Sequence, residues 1–457
     1  MSKKIHFIGI GGIGMSALAQ LCLKKGYVVC GSDLKDSPQL EKLREEGAQI
    51  FIGHSRENIA NDLDFVVFSS AIKPENEELQ QAQRFSIPIL KRAELLAMLM
   101  KEHQVIAIAG AHGKTTTSSL LSHVLIDANF SPTIAVGGIV KNLKGNACMG
   151  NGLFFVAEAD ESDGTFLLYK PKYSIITNID YEHLDYYLSF DKIKKAFAKF
   201  INNHSNSGCI FWCYDDINLL EIIKSSNRKN KSFGLSKEAD IYATDIELNN
   251  FSSRFKVIYQ RRDLGDFNLF LTGIHNVSNA LSVIGLALDL DIELKQIKKS
   301  LETFAGVERR FQIKYNKNNI LIVDDYAHHP TEIRATINAA RCCRPQRLIV
   351  VFQPHRYSRL KNLMSEFSRS FSEVDHLFIT DIYPAGEENI YNINSAELFQ
   401  MIREKNFPHV ELIEKDYILK YIPQILHDGD LLLFLGAGDI NRISDELVKD
   451  LQRKDKV

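Results

Sequence analysis

The chain has 457 residues, and its 55 Lys and Arg against 57 Asp and Glu give a formal charge of −2. This balance argues against a dedicated nucleic-acid binder, and at roughly 150 residues per domain the length suggests about three domains. Apolar residues make up 45% of the chain and no run approaches about 18 of them, so we expect a folded protein without a membrane partner. The apolar start is too short for a signal peptide, and seven Cys without a zinc spacing predict packing or surface thiols in a reducing cytoplasm.

Strand-like apolar runs alternate with helical patterns along almost the whole chain, which predicts an α/β fold with mainly parallel sheets. A helical stretch at Arg92–Lys101 and a short charged segment at Phe304–Arg310 have the composition of linkers. We therefore expect three domains, covering residues 1–102, 103–306 and 307–457.

The first predicted strand, Ile5–Ile8, runs into three glycines with the spacing G-x-G-x-x-G. These are Gly9, Gly11 and Gly14. Glycine lets the backbone turn sharply and approach a phosphate, and the following helix offers free N–H groups to an anion. A second strand, Tyr27–Cys30, leads to Asp33, which could bind a ribose hydroxyl. Taken alone, the pattern is typical of a nicotinamide dinucleotide site, although it reports only a diphosphate beside a helix start.

A second apolar strand runs into the segment Gly110–Thr117, which is followed by a helix with apolar residues at helical spacing. This order is typical of a P-loop, in which Lys114 would bind the β- and γ-phosphates and a hydroxyl of Thr115 or Thr116 would bind Mg²⁺. The match is imperfect, because Ile108 stands where the first glycine of the motif is expected.

Carboxylates follow the next two predicted strands. One strand ends in the acidic segment Glu158–Asp163 and another in Asn178–Asp185, which contains His183. Mg²⁺ prefers oxygen ligands and shares them with the nucleotide, so acids at strand ends beside a P-loop predict a metal site. Two such segments allow two metal ions.

In the last third of the chain, four apolar strands each run into a polar loop. The loops are Asp324–His329, Gln353–Arg356, Asp381–Gly386 and Gly436–Asp439. Ligands of open parallel sheets bind beyond the carboxyl ends of the strands. The His, Arg and Asp residues of these loops suit an amino acid or carboxylate, with Arg356 as the carboxylate-binding fork. A zinc site is less favoured, since His328 and His329 are adjacent and followed by Pro330.

Taken in order, these motifs resemble the Mur ligases of peptidoglycan precursor synthesis over essentially the full length. The segments that carry the resemblance are Gly110–Thr117, Glu158–Asp163, Asn178–Asp185, Gly273–Asn279, Arg309–Phe311, Asp324–Pro330 and Phe352–Arg359. The glycine-rich opening Gly9–Met15 and the segment Phe352–Tyr357 point to the alanine-adding member of the family. The resemblance implies an N-terminal Rossmann-like domain, a central P-loop ATPase-like α/β domain and a C-terminal Rossmann-like α/β domain.

The resemblance also assigns the first glycine loop to a UDP-sugar rather than to a nicotinamide cofactor, and it implies roles for further residues. The implied UDP-sugar site is Gly9, Gly11, Gly12, Gly14, Asp33 and Ser70. The implied ATP site is Gly110, Ala111, His112, Gly113, Lys114, Thr115, Thr116, Asn276, Asn279, Arg310 and Asp325. The implied metal ligands are Thr115, Glu158 and His183; the implied catalytic residues are Lys114, Glu158, His183 and Arg310. The implied alanine pocket is Tyr326, His328, His355 and Arg356.

The implied reaction is the ATP-dependent addition of L-alanine to the lactyl carboxylate of UDP-N-acetylmuramate through an acyl phosphate, with Mg²⁺ as cofactor. We expect a cytoplasmic monomer or homodimer without a nucleic-acid partner. Some Mur ligases carry a carbamylated lysine at the position that Ala198 occupies in this chain. The neighbouring Lys199 is one residue away from that position, so we expect no carbamylated lysine here. Two alternatives remain, a nicotinamide-dependent oxidoreductase and a non-catalytic nucleotide-gated binding protein. The first leaves the P-loop unexplained and the second leaves the histidines of the third domain unexplained.

Overall fold

The structure is a computed structural model that describes residues 2–69, 71–143, 145–405, 407 and 409–454, with the side chains of 184, 185 and 454 left aside. The described residues form three sheets flanked by helices. The chain divides into two compact units. One unit comprises Met1–Thr244, Lys256–Phe267 and Ser278–Ala305, and the other Asp245–Phe255, Asn268–Val277 and Gly306–Val457.

The first sheet has five strands in the order β3-β2-β1-β4-β5, and all four pairings are parallel. Its strands are β1 (Lys4–Ile8), β2 (Val28–Asp33), β3 (Gln49–Ile52), β4 (Phe65–Phe68) and β5 (Ile89–Lys91). Its helices are α1 (Ile13–Lys24), α2 (Pro38–Glu45), α3 (Glu77–Arg84) and α4 (Arg92–Met100), with a 3₁₀ turn at Arg56–Asn58. The residues Ile5–Ile8 of β1 are buried on both faces, as expected when helices cover both sides of a parallel sheet.

The central sheet has ten strands in the order β15-β14-β13-β12-β11-β10-β6-β9-β7-β8. They are β6 (Gln104–Ala109), β7 (Thr133–Val140), β8 (Gly145–Cys148), β9 (Phe154–Glu158), β10 (Tyr173–Ile176), β11 (Cys209–Cys213), β12 (Asn230–Gly234), β13 (Ile241–Leu248), β14 (Ser253–Tyr259) and β15 (Arg262–Leu269). The helices are α5 (Lys114–Asp127), α6 (Leu184–Tyr187), α7 (Phe190–Asn202), α8 (Ile217–Lys224), α9 (Ile274–Asp289) and α10 (Leu294–Thr303), with 3₁₀ turns at Lys141–Leu143 and Thr165–Leu168.

The expected alternation of strands and helices fails in two places of the central sheet. The strands β7 and β8 form an antiparallel hairpin, and β13, β14 and β15 follow one another with only short loops between them. Along β13, buried residues alternate with partly buried ones in the first half, and exposed residues alternate with partly buried ones in the second half. Because such strands lack a long apolar run, the sequence pattern did not separate them from loops.

The third sheet has six strands in the order β16-β17-β21-β18-β19-β20, parallel except for the antiparallel pair β16 and β17. They are β16 (Gln312–Lys317), β17 (Ile320–Asp325), β18 (Arg347–Phe352), β19 (His376–Ile379), β20 (Val410–Leu412) and β21 (Asp430–Leu435). The helices are α11 (Pro330–Cys342), α12 (Tyr357–Asn362), α13 (Met364–Phe367), α14 (Ser395–Arg403), α15 (Ile418–Ile425) and α16 (Ile440–Lys454), with a 3₁₀ turn at Lys415–Tyr417. A hydrophobic cluster covers each face of this sheet, and Val350 and Ile349 of β18 belong to opposite clusters.

The helix α7 is amphipathic and carries lysines on its solvated face. Phe197 and Phe200 are buried, whereas Lys195 and Lys199 are exposed. All seven cysteines are free thiols. None of the described helices is both long enough and apolar enough to cross a membrane.

Candidate active site

The first glycine loop lies between β1 and α1 and is held by the end of β2. The backbone N–H groups of Gly9 and Ile10 donate to the carbonyl of Ser32 at 2.8 and 3.0 Å. The N–H of Gly11 donates to Asp33 Oδ2 at 2.8 Å, and a Cβ on Gly11 would lie 2.9 Å from that oxygen. The predicted glycines and Asp33 are therefore together, with Asp33 shaping the loop itself. The remaining predicted residue, Ser70, lies outside the described residues.

The second loop joins β6 to α5 and has the strand–turn–helix geometry of a P-loop. Gly110 and Gly113 have φ angles of +125° and +82°, which side chains other than glycine rarely adopt. A Cβ on Gly113 would lie 2.8 Å from Asn279 Oδ1, so this asparagine packs directly on the loop. The N–H of His112 donates to Asn178 Oδ1 at 2.8 Å, and its ring pairs with Asp180 at 2.8 Å.

Lys114 is the first residue of α5, and its ammonium group is held by a buried carboxylate. Lys114 Nζ lies 3.1 and 3.0 Å from the two oxygens of Glu161, whose side chain is 3% exposed, and it donates to the carbonyl of Ala111 at 3.1 Å. Burial would lower the pKa of Lys114, but the charges of Glu161 and Asp160 outweigh this and raise the pKa above its ordinary value. Lys114 therefore stays charged.

Glu161 was not assigned a role from the sequence. Its only signal was its position inside the acidic segment that follows β9, where any of the four acids could have faced the P-loop.

Thr115 and Glu158, two of the predicted metal ligands, lie side by side. The hydroxyl of Thr115 donates to Glu158 Oε2 at 3.2 Å, and that of Ser118 donates to Glu158 Oε1 at 3.0 Å. The N–H of Gly137 donates to the same Oε1 at 2.7 Å. This set offers the oxygen donors that Mg²⁺ prefers. Ser118 was missed, although residues three apart on a helix share a face.

His183, the third predicted metal ligand, groups with other acids. His183 Nε2 lies 3.7 Å from Glu161 Oε1 and 3.4 Å from Glu182 Oε2, and the three potential ligand atoms lie within 4.8 Å of one another. The backbone of His183 has a φ of +55°, which fixes the loop in a left-handed conformation. The donor atoms thus form two groups, one around Glu158 and one around His183.

In the second unit, Asp325 at the end of β17 organises the loops on both sides. Its carboxylate accepts hydrogen bonds from the N–H groups of Phe311 at 2.6 Å and Ala327 at 2.7 Å. Burial raises the pKa of Asp325 to about 6, although the charge of Arg310 acts in the opposite direction. The guanidinium of Arg310 lies 5.1 Å from the ring centroid of Tyr326. Asn276 is buried, and its amide donates to the carbonyl of Thr272 at 2.8 Å.

The predicted alanine-pocket residues form a chain of rings at one edge of the third sheet. The ring of His328 lies 5.2 Å from Tyr326 and 5.5 Å from His355, and His355 stacks on Tyr383 at 5.7 Å. Arg356 follows His355 with a φ of +68°, and its Nη1 lies 3.8 Å from Glu387 Oε1.

Tyr383 was not assigned from the sequence, since the Asp381–Gly386 loop is dominated by turn residues.

Three sequence models match this chain in order. Residues 4–104 match the catalytic domain of the Mur ligase family, residues 108–287 the Mur ligase middle domain, and residues 309–438 the Mur ligase, glutamate ligase domain. The chain belongs to the Mur ligase family. Mur ligases are ATP-dependent ligases, and the three-domain α/β architecture implied by the motifs is that of the family.

Several known proteins match this chain over almost its whole length. A UDP-N-acetylmuramate–L-alanine ligase of Sulfurihydrogenibium sp. is 47% identical over 99% of both chains, and one of Aquifex aeolicus is 43% identical over 98% of both. The crystal structure of a UDP-N-acetylmuramate-alanine ligase from Thermotoga maritima superposes with a TM-score of 0.86 at 31% identity, covering 99% of each chain. The Mur ligase prediction is thus confirmed, in preference to the oxidoreductase and binding-protein alternatives.

Proposed function

We propose that this Mur ligase adds L-alanine to the lactyl carboxylate of UDP-N-acetylmuramate, forming UDP-N-acetylmuramoyl-L-alanine, ADP and phosphate. The observation that carries the proposal is the presence of two separate glycine loops, Gly9–Gly14 and Gly110–Lys114, each between the carboxyl end of a parallel strand and the start of a helix, where a phosphate can bind. A ligase that uses ATP and a nucleotide-sugar needs one such loop for the phosphates of each substrate. The name of the relative that is 47% identical over 99% of both chains supports the choice of substrates.

The reaction proceeds in two steps. A carboxylate oxygen of the lactyl group attacks the γ-phosphorus of ATP, so that an acyl phosphate forms and ADP leaves. The amine of L-alanine then attacks the acyl carbon, the carbon–oxygen bond to phosphate breaks, and the amine loses a proton. The protein contributes mainly position and charge. Lys114 binds the γ-phosphate, which requires it to leave Glu161. Arg310 and Asp325 are the further residues proposed to serve ATP.

The oxygens of Thr115 and Glu158 fit a Mg²⁺ ion, with His183 as the further predicted ligand, and the ion would neutralise charge on the β- and γ-phosphates. Glu161 and Glu182 beside His183 offer donors of the same class. The ammonium group of Lys114 donates to the carbonyls of Gly110 and Ala111, and these contacts hold the loop in position for the nucleotide.

L-Alanine would bind beside the row of aromatic side chains at the edge of the third sheet. Arg356 can donate two parallel N–H bonds to the α-carboxylate, while Tyr326, His328 and His355 line the pocket. The domains proposed to carry the UDP-sugar, ATP and alanine sites are residues 1–102, 103–306 and 307–457, respectively. We place the enzyme in the cytoplasm. We also propose that it is a monomer or homodimer, and sedimentation analysis would measure this oligomeric state.

The proposal is tested by offering the enzyme UDP-N-acetylmuramate, ATP, Mg²⁺ and each of the twenty amino acids. Mass spectrometry should find a nucleotide-sugar heavier by one alanine residue, and formation of that product should be fastest with L-alanine. A faster reaction with another amino acid, or with a peptide, would reject the proposed substrate.

A further inference from the structure

Arg309 has no part in the proposed chemistry, yet its guanidinium contacts three separate segments at the edge of the third sheet. Its Nη2 donates to the carbonyl of Gly436 at 2.6 Å and to that of Gly438 at 3.2 Å. Its Cζ lies 4.9 Å from the ring centroid of Tyr326, whose N–H donates to the Arg309 carbonyl at 2.7 Å. Its Nε lies 3.7 Å from Oδ2 of Asp324, a carboxylate that is 0% exposed. The guanidinium is therefore held from several sides.

The glycine segment that accepts these hydrogen bonds packs on Tyr383. A Cβ on Gly438 would lie 2.6 Å from Tyr383 Cγ, which is closer than such atoms approach, so only glycine fits there. Tyr383 also stacks on His355, with 5.7 Å between the ring centroids. Its N–H donates to the carbonyl of Pro354 at 2.8 Å. Tyr383 is thus fixed by its own backbone on one side and by the glycine segment on the other.

Arg309 closes the row of aromatic rings at this edge into a circuit. Neighbouring rings of the row lie 5.2, 5.5 and 5.7 Å apart, in the order Tyr326, His328, His355 and Tyr383. Arg309 covers the ring at one end of the row and binds the glycine segment that packs on the other end. Without its guanidinium the two ends could move apart, and the space beside the rings would become larger.

We propose that Arg309 is a positioning residue for the amino-acid step, and that it keeps the pocket small enough to favour alanine by holding the two ends of the row together. The inference rests on the proposed function, because it concerns the same alanine site. It gives two adjacent arginines different tasks, since Arg310 is proposed to serve ATP. A lysine could replace Arg309 only in part, because an ammonium group is a compact point charge without the planar donor fork of a guanidinium.

The test compares Arg309→Met with the wild type in two assays. Acyl phosphate formation without an amino acid, measured by trapping with hydroxylamine, should stay within about twofold of the wild type. The kcat/KM for L-alanine should fall about tenfold through a higher Michaelis constant, because hydrogen bonds from a charged donor are lost. Arg309→Lys should recover part of this loss. Arg442→Met, which replaces an exposed arginine on α16, should leave both assays unchanged.

Selectivity between amino acids gives a readout that a general loss of folded enzyme would not change. L-2-Aminobutyrate has one methylene more than L-alanine, a difference that a well-formed pocket can use for discrimination of about 10-fold to 200-fold. The ratio of kcat/KM for L-alanine to that for L-2-aminobutyrate should fall by about threefold or more in Arg309→Met, and by less in Arg309→Lys.

The outcomes separate the inference from the proposed function. A wild type that does not join L-alanine to the UDP-sugar would reject the proposed function itself. With an active wild type, an Arg309→Met variant whose alanine constant or selectivity is unchanged would reject only the inference. Equal losses in trapping and in alanine addition would do the same, since they indicate a general structural role. If Arg309→Met does not fold, as circular dichroism would show, Arg309→Lys decides the matter by the same readouts.

Discussion

At the scale of single residues, we expect the ATP half of the proposed reaction to depend on Lys114. Because this lysine would bind the γ-phosphate, Lys114→Ala should lower phosphate release by about 10²–10³ or more. The affinity for UDP should remain close to that of the wild type, since none of the hydrogen bonds described for the first glycine loop involves Lys114. The exposed Lys195→Ala on α7 is the control for loss of a lysine. A Lys114→Ala enzyme with near-normal turnover would show that the P-loop assignment is wrong.

Arg356 gives a prediction for the amino-acid side. A lysine can supply only a point charge where arginine supplies two parallel donors, so Arg356→Lys should raise the Michaelis constant for L-alanine more than those for ATP and the UDP-sugar. Acyl phosphate formation needs no alanine and should survive, as trapping with hydroxylamine would show. A variant that loses trapped product but keeps its alanine constant would place Arg356 at the nucleotide instead.

Asp325 makes stability depend on pH. Its pKa is raised from the ordinary value of 3.8 to about 6. A raised carboxyl pKa means that its contribution to stability is fully present below pH 3.8 and is lost as the pH rises through 6. An asparagine side chain cannot ionise, so the Asp325→Asn variant does not lose stability in this way. The melting temperature of the variant minus that of the wild type should therefore become more positive as the pH rises from about 4 to about 8.

The control for this comparison is the exposed Asp428→Asn, whose difference from the wild type should be the same at both pH values. An Asp325→Asn difference that is constant, or that shrinks as the pH rises, would contradict the cause given for the shift.

At the scale of elements, the amphipathic helix α7 allows the contribution of one buried aromatic ring to the stability of the central domain to be measured. Phe200 is 0% exposed and stacks on Phe166 with 5.0 Å between ring centroids. Phe200→Ala should lower the free energy of unfolding by about 3–5 kcal/mol, measured by urea denaturation. Lys199→Ala, one position away on the exposed face, should change it by less than about 0.5 kcal/mol. Equal effects of the two substitutions would show that the burial pattern of α7 is wrong.

The elements that could be predicted from sequence are those with strong local patterns. The apolar strand β6 and the glycine turn before Lys114 were recognisable because a fully buried parallel strand is apolar on both faces. The strand β13 is only partly buried, has no long apolar run and was missed. Glu161 and Tyr383 were not assigned because which side chain of a loop points at a site depends on backbone geometry that spacing does not encode.

At the scale of the whole molecule, the three matched domains contain two glycine loops and a third sheet that carries a row of aromatic rings. A nicotinamide-dependent oxidoreductase would need the first loop only. The proposed ligase reaction needs each of the three regions, which is why the order of the motifs along the chain was informative beyond any single motif.

The central claim is that a carboxylate oxygen of the substrate bonds to phosphorus. It is tested most directly with UDP-N-acetylmuramate labelled with ¹⁸O in the lactyl carboxylate, followed by mass spectrometry of the released phosphate. The attacking oxygen stays with phosphorus when the amine displaces phosphate from the acyl carbon. Each released phosphate should therefore carry one ¹⁸O atom, and release should require both the UDP-sugar and L-alanine. Unlabelled phosphate, or ¹⁸O appearing in AMP, would contradict the account.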